Sequence, residues 1–114
     1  MRPVDDTFSM TRIAPGSWAV AGELDLATAP ALERALCSDE TPGDLHLDCS
    51  RLAFMDSQGV RSLLVAAGAR APGGRLVLEH LTHEVRRIAD LVQLGSTPGI
   101  VVTEPSPQDP GASG

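Results

Sequence analysis

The sequence predicts one α/β domain: a mixed β-sheet, made of an N-terminal hairpin followed by parallel strands, with helices packed against it. Three observations carry that prediction. The chain has 114 residues, the size of a single domain. Its apolar residues switch between alternation and helical spacing in the order β-β-α-β-α-β-α-β. Clusters of Pro, Gly, Asp and Thr stand at the switches. A hairpin followed by strand–helix alternation implies parallel strands joined by right-handed crossovers. Leu, Ile, Val and Phe supply 28 of the 114 residues, above the roughly 20% floor below which disorder is expected.

The elements follow in order. Residues 7–13 alternate, with Phe8 and Met10 set against Ser9 and Thr11, and predict a strand. Ala14-Pro15-Gly16-Ser17 suits a type II turn, because Pro fits its second position and Gly accepts the positive φ of its third. Residues 18–22 return as the second strand of a hairpin, and residues 23–27 form a loop. Thr28 is placed to cap a helix with Pro30 in its first turn and Ala29, Leu32, Ala35 and Leu36 on its buried side. Residues 39–43 are a turn cluster, and residues 45–49 a short strand. A second helix begins near Ser57, its buried face marked by Val60, Leu63, Leu64 and Ala67, and ends before Ala71-Pro72-Gly73-Gly74. Leu76-Val77-Leu78 is a buried strand. Thr82 caps a third helix carrying Val85, Ile88, Ala89 and Val92, which Gly95 stops, and residues 100–102 are the last strand. Residues 1–6 are expected to be a flexible N-terminus. Residues 105–114, with three Pro and two Gly, are expected to be a disordered tail.

Composition excludes several kinds of function. All nine basic residues are Arg, so there is no lysine for a phosphate loop, a Schiff base or a general base. The net charge of −6 opposes direct nucleic-acid binding, and Phe8, Trp18 and Phe54 are too few for base stacking. No apolar run is long enough to enter a membrane, and Met1 to Asp6 lack the apolar core of a signal peptide. Cys37 and Cys49 are therefore expected to be reduced thiols in a cytoplasmic protein. His80 and His83 are spaced i,i+3, but a zinc site needs two more ligands and no cysteine is near in sequence. No metal and no cofactor is expected.

In such folds the loops after parallel strands carry function. Two stand out: residues 22–28, containing Asp25 and Thr28, and residues 54–59, containing Met55, Asp56, Ser57, Gln58 and Gly59. Ser57 falls at or beside a helix N-cap, with Asp56 the alternative cap. Gly59 in the first turn lets another surface approach closely. A nucleophile elbow would read Gly-x-Ser-x-Gly; here Met55 stands at the first Gly, and an acid precedes the serine, which opposes a developing oxyanion. Asp25 and Asp56 could pair as catalytic carboxylates, but nothing beside them supplies a chemistry. No catalytic residue is expected.

The segment Gly22-Glu23-Leu24-Asp25-Leu26-Ala27-Thr28-Ala29-Pro30, followed after a strand by residues 47–60 with their Met55-Asp56-Ser57-Gln58-Gly59 core, resembles the STAS domain. More narrowly, it resembles the stand-alone bacterial anti-sigma factor antagonists, over residues 7–104. The resemblance implies a non-enzymatic partner switch. Such a protein binds an anti-sigma factor that is also a serine/threonine kinase of the GHKL ATPase type, and so frees a sigma factor. Phosphorylation of the aligned serine, Ser57, ends the interaction, and a PP2C-type phosphatase restores it. Asp25, Thr28, Met55, Asp56, Ser57, Gln58 and Gly59 would form the partner-binding surface. Thr28 and Ser62 are weaker candidate acceptors. Gln58 departs from the second small residue common in relatives. The other reading that the family allows is a non-catalytic STAS subunit of a membrane-associated lipid-transport complex.

Overall fold

The computed structural model describes residues 8–103. The expected flexible N-terminus, the expected tail and Thr7 lie outside the described residues. The elements are β1 (Phe8–Ala14), β2 (Ser17–Leu24), α1 (Ala29–Cys37), β3 (Leu45–Met55), α2 (Ser57–Arg70), β4 (Leu76–Glu79), α3 (His83–Leu91), a 3₁₀ turn (Leu94–Ser96) and β5 (Ile100–Val102). The predicted order of elements is found. The five strands lie in sequential order, β1-β2-β3-β4-β5. β1 and β2 are antiparallel, and each later neighbour is parallel to the one before it.

That topology dictates the layering. Each parallel connection steps one strand in the same direction, so right-handed crossovers put the connecting helices on one face of the sheet. The core agrees: Val20, Leu24, Leu45, Leu47, Cys49, Leu52, Met55, Leu76 and Leu78 meet Leu32 and Leu36 of α1, Leu63, Ala66 and Ala67 of α2, and Val85 and Ala89 of α3 in one cluster. Ala19, His46, Asp48 and Glu79 stand between the core-facing residues of their strands and turn to the opposite face. There His46 Nδ1 and Glu79 Oε2 pair across β3 and β4 at 2.9 Å.

β3 is longer than the sequence predicts. It runs 11 residues, to Met55, where alternation suggested an end at Cys49. Its pairing with β2 slips twice: Ala19–Ala21 spans Asp48–Arg51, and Gly22–Glu23 spans Leu52–Phe54. Each slip is a bulge with the extra residue on β3. The bulges break the alternation, so residues 50–55 read as loop although they are paired strand.

α3 is also shorter than predicted. Val92 is its C-cap and Gln93 takes a left-handed φ of 55°, while Gly95 lies inside the 3₁₀ turn. The early stop drives Leu94 into the core, where it is 1% exposed. Burying a leucine is worth about 1.5–3 kcal/mol, which offsets the roughly 1–2 kcal/mol of a left-handed non-glycine residue. Val92 and Leu64, expected on buried faces, are exposed, and Ala35 is half-buried. Leu64 lies on the outer stripe of α2, and Val92 has already left the helix.

The end of the sheet where the parallel strands begin is tied by side chains. Gly16, with φ 77°, makes the expected tight turn. The Asp39 carboxylate accepts from Gly16 N (3.3 Å), Trp18 Nε1 (2.8 Å) and Thr41 N (2.8 Å) and faces Arg12 at 3.6 Å, with no exposed side-chain surface. Burial alone would raise this carboxyl, but the bonds from Thr41 and Trp18 and the Arg12 charge outweigh it and hold it well below the usual range. Arg70 donates to the carbonyls of Asp39, Thr41 and Gly43. Gly74 lies against the Gly43 carbonyl with no room for a Cβ.

Candidate functional site

The opposite end of the sheet, where β2 and β3 finish, carries the two loops singled out in the sequence. Leu24 and Met55 are register partners, so residues 25–28 and 56–59 emerge side by side. Asp56 N donates to Leu24 O at 3.1 Å and ties the second loop to the end of β2. Gly59 explains the closeness. A Cβ there would lie 2.8 Å from Leu24 O and 2.9 Å from both Leu24 Cγ and Met55 Cγ. Only glycine lets the first turn of α2 approach β2 so nearly.

In the first loop Asp25, and not Thr28, begins the helical turn. Thr28 has helical angles (φ −102°, ψ −21°) and makes no side-chain cap bond. Asp25 Oδ1 accepts from Ala27 N (3.0 Å) and Thr28 N (3.1 Å), while Thr28 Oγ1 accepts from Asp25 N (2.9 Å) and donates to Glu23 O (2.7 Å). This reciprocal arrangement is that of a capping box, with threonine in the place usually held by Glu or Gln. The two side chains fix the loop conformation.

In the second loop Asp56 is the cap. Its backbone is extended (φ −109°, ψ −170°), and its Oδ1 accepts from Gln58 N at 2.9 Å and Gly59 N at 3.1 Å. Ser57 is therefore the first helical residue, exposed, and free of the capping task. The assignment matters chemically. Two amide groups that receive anions at a helix start, Gln58 N and Gly59 N, are already engaged by the Asp56 carboxylate.

The expected partner surface divides on burial. Met55 is fully buried and Gly59 is buried, so their side chains do not form a contact surface. They pack the loop from beneath, because Met55 faces inward at the end of β3 and Gly59 faces Leu24. Asp25, Thr28, Asp56 and Gln58 are half-buried, and Ser57 is exposed. Ser62 is not an open acceptor: it is 1% exposed and donates to Glu33 Oε2 at 2.8 Å, linking α2 to α1. The Thr28 hydroxyl is committed to its loop. Of the three hydroxyls considered, Ser57 alone is accessible.

The sequence reading missed three exposed side chains around Ser57. Leu26 is 72% exposed at the tip of the first loop. Phe54 is 42% exposed just before Met55. Arg61 is exposed one helical turn beyond Ser57. The signal for Arg61 was its i,i+4 spacing from Ser57. For the two apolar residues no local signal separates an exposed position from a buried one beside it.

Neither thiol is poised for chemistry. Burial, with Asp48 nearby, pushes Cys49 up to about 12. Burial and the Glu33 charge raise Cys37. Among the described residues no group of three or more His, Cys, Asp or Glu could hold a metal ion, and no helix is long and apolar enough to cross a membrane.

Comparison with known proteins agrees with this architecture. Among curated proteins no relative matches the sequence. An anti-sigma factor antagonist from Mycobacterium paratuberculosis has a similar structure, with a TM-score of 0.67 and 27% identity over 95% of this chain and 92% of that one. The anti-sigma factor antagonist SpoIIAA in its unphosphorylated form aligns with a TM-score of 0.64 and 20% identity, over 85% of this chain and 88% of its own. The phosphorylated form of the Bacillus cell fate determinant SpoIIAA aligns with a TM-score of 0.57 and 19% identity, over 85% and 91%. The two SpoIIAA likenesses speak for the fold alone. The family model described as "Mlab, STAS domain" matches residues 14–103, most of the chain, and the chain belongs to that STAS family.

Proposed function

We propose that this protein is an anti-sigma factor antagonist: it binds an anti-sigma factor serine kinase, thereby releasing a sigma factor, and phosphorylation of Ser57 switches it off. The observation that carries the reading is the division of labour at the start of α2. Asp56 caps the helix, which leaves the Ser57 hydroxyl exposed and unneeded for the fold. The likeness to an anti-sigma factor antagonist at 27% identity supports it. The protein carries no catalytic group in this scheme. The partner, a kinase of the GHKL ATPase type, brings ATP and transfers its terminal phosphoryl group to Ser57 Oγ. A PP2C-type phosphatase returns the hydroxyl, and the exchange takes place in the cytoplasm.

Local electrostatics accounts for the switch. A phosphate adds about −1.5 to −2 charges next to the Asp56 carboxylate, with Asp25 on the neighbouring loop. A partner surface closed over neutral Ser57 would meet both a clash and an uncompensated buried charge. A penalty of about 3 kcal/mol already lowers affinity more than a hundredfold. The partner contacts fall to Ser57, Gln58, Asp56, Asp25 and Thr28, joined by Leu26 and Phe54.

The test is capture of binding proteins on immobilised wild type, Ser57→Ala and Ser57→Glu, each first checked for folding. The expected result is an ATP-binding kinase retained by wild type and Ser57→Ala and lost by Ser57→Glu. Equal retention of a transporter ATPase by all three would overturn the switch. It would assign the chain to the lipid-transport reading, with Ser57 only a surface residue.

A further inference from the structure

We propose that a phosphate on Ser57 is held by the guanidinium of Arg61, and not by the amide groups at the start of α2. The inference deepens the proposed function and rests on its assignment of Ser57. Two observations carry it. First, two of the first-turn amides that would receive an anion at this helix start are occupied, since Asp56 Oδ1 already accepts from Gln58 N and Gly59 N. A phosphate could use those groups only by displacing the cap and setting two anions against each other. Second, Arg61 lies four residues after Ser57 on the same exposed stripe of α2. Among the described residues it makes no salt bridge, whereas Arg12, Arg75 and Arg87 are each paired.

The geometry of a helix favours the pairing. Side chains at i and i+4 stand about 5–6 Å apart at Cβ, and long side chains lean toward the helix N-terminus. Arg61 therefore reaches back toward Ser57, with the acidic partner N-terminal to the basic one, the favourable order. The guanidinium offers a planar fork that matches two phosphate oxygens. Neither of the two loops carries a cation. Asp56 is engaged with amides, Asp25 is bound to its own loop, Glu33 of α1 accepts from Ser62, and Glu23 is exposed at the end of β2. All four repel a phosphate, which leaves Arg61 as its counter-charge among the described residues of the two loops and of α2's first two turns.

The experiment uses the full chain with phosphoserine genetically encoded at position 57, so that no kinase is needed. The second phosphate ionisation is followed by ³¹P NMR in the wild-type background, in Arg61→Gln and in Arg61→Lys, and the Gln58 and Gly59 amide resonances are followed in the same samples. The expected result is an ionisation about 0.3 pH unit lower in wild type than in Arg61→Gln, the size of an i,i+4 ion pair. Arg61→Lys should recover part of the shift, and the two amide resonances should stay near their unphosphorylated positions. Identical titrations in wild type and Arg61→Gln, or large downfield movement of the two amides, would overturn the proposal. Partner capture on the same phosphorylated chain tests the function separately, because the Arg61 pairing can hold or fail whether or not the partner is released.

Discussion

The two ends of the sheet solve the same problem with different chemistry. Both must fasten loops to strand ends. At the end where the parallel strands begin, the fastening is by long-range side-chain bonds. Asp39 reaches the hairpin turn and Trp18, and Arg70 reaches three carbonyls of the loop before β3. At the end where β2 and β3 finish, the fastening is local. Asp25 and Asp56 each bind amides two and three residues ahead, and a glycine lets the loops touch. Long-range ties use up the polar groups of the first end. Local caps leave Ser57, Leu26 and Arg61 at the second end without structural duties. A partner-binding surface needs that surplus, held on a rigid base.

Substitutions at both ends should separate the two modes, and the largest effect is expected at the first. Asp39→Ala would strand the Gly16 amide and the Trp18 indole N–H and should cost about 3–5 kcal/mol in urea denaturation. The acid response follows in sign. The folded carboxyl is held below its unfolded value of about 3.9, so its contribution is full above that pH and is lost as pH falls below it. Asp39→Asn should flatten the loss of stability below about pH 4. Gly74→Ala comes next, since its Cβ would strike the Gly43 backbone. A cost of about 3 kcal/mol is expected by thermal melting, at the upper end for overpacking.

At the second end Gly59→Ala should cost about 2 kcal/mol, less because two of the three atoms that its Cβ meets belong to side chains. It should also weaken partner binding by moving Ser57, an effect that calorimetric titration separates from stability. Removal of the caps should be milder: about 1.5 kcal/mol for Asp25→Ala and about 1 kcal/mol for Asp56→Ala, since Asp25 also orders the loop in which Thr28 accepts from Asp25 N and donates to Glu23 O. The smallest pair sharpens the comparison most. Thr28→Val should cost about 1 kcal/mol, whereas Ser57→Ala should stay within about 0.5 kcal/mol of wild type. Equal costs for the two hydroxyls would erase the distinction between a structural and an available hydroxyl.

Much of this was legible in the residues. The order of elements, the Pro15-Gly16 turn and the Thr82 cap, which accepts from Val85 N at 3.4 Å, all follow from local periodicity and turn chemistry. What escaped was set by pairing between distant segments. Asp39 sits in a stretch that reads as an ordinary turn, and only the fold brings Trp18 and Gly16 to it. Thr28 matches the composition of a cap, but its hydroxyl is engaged with Asp25 N and Glu23 O, and Asp25 starts the turn three residues earlier by accepting from Ala27 N and Thr28 N. At the site, the position of Ser57 at the start of α2 was visible. The burial of Met55 and Gly59 was not, since it depends on how β3 meets β2.

The two bulges of β3 act as a pair: each reverses the phase of the strand, and the second undoes the first. The strand enters the sheet with Leu45, Leu47 and Cys49 inward, and leaves it with Leu52 and Met55 inward. The restored inward position of Met55 precedes an α2 that begins with Gly59 against Leu24 and Ser57 toward water. A strand lacking one of the two extra residues would turn Met55 to the other face and deliver the same helix with its serine rotated away from the outer stripe. The orientation of Ser57 is thus encoded upstream of the loop that bears it, in the strand that leads to it.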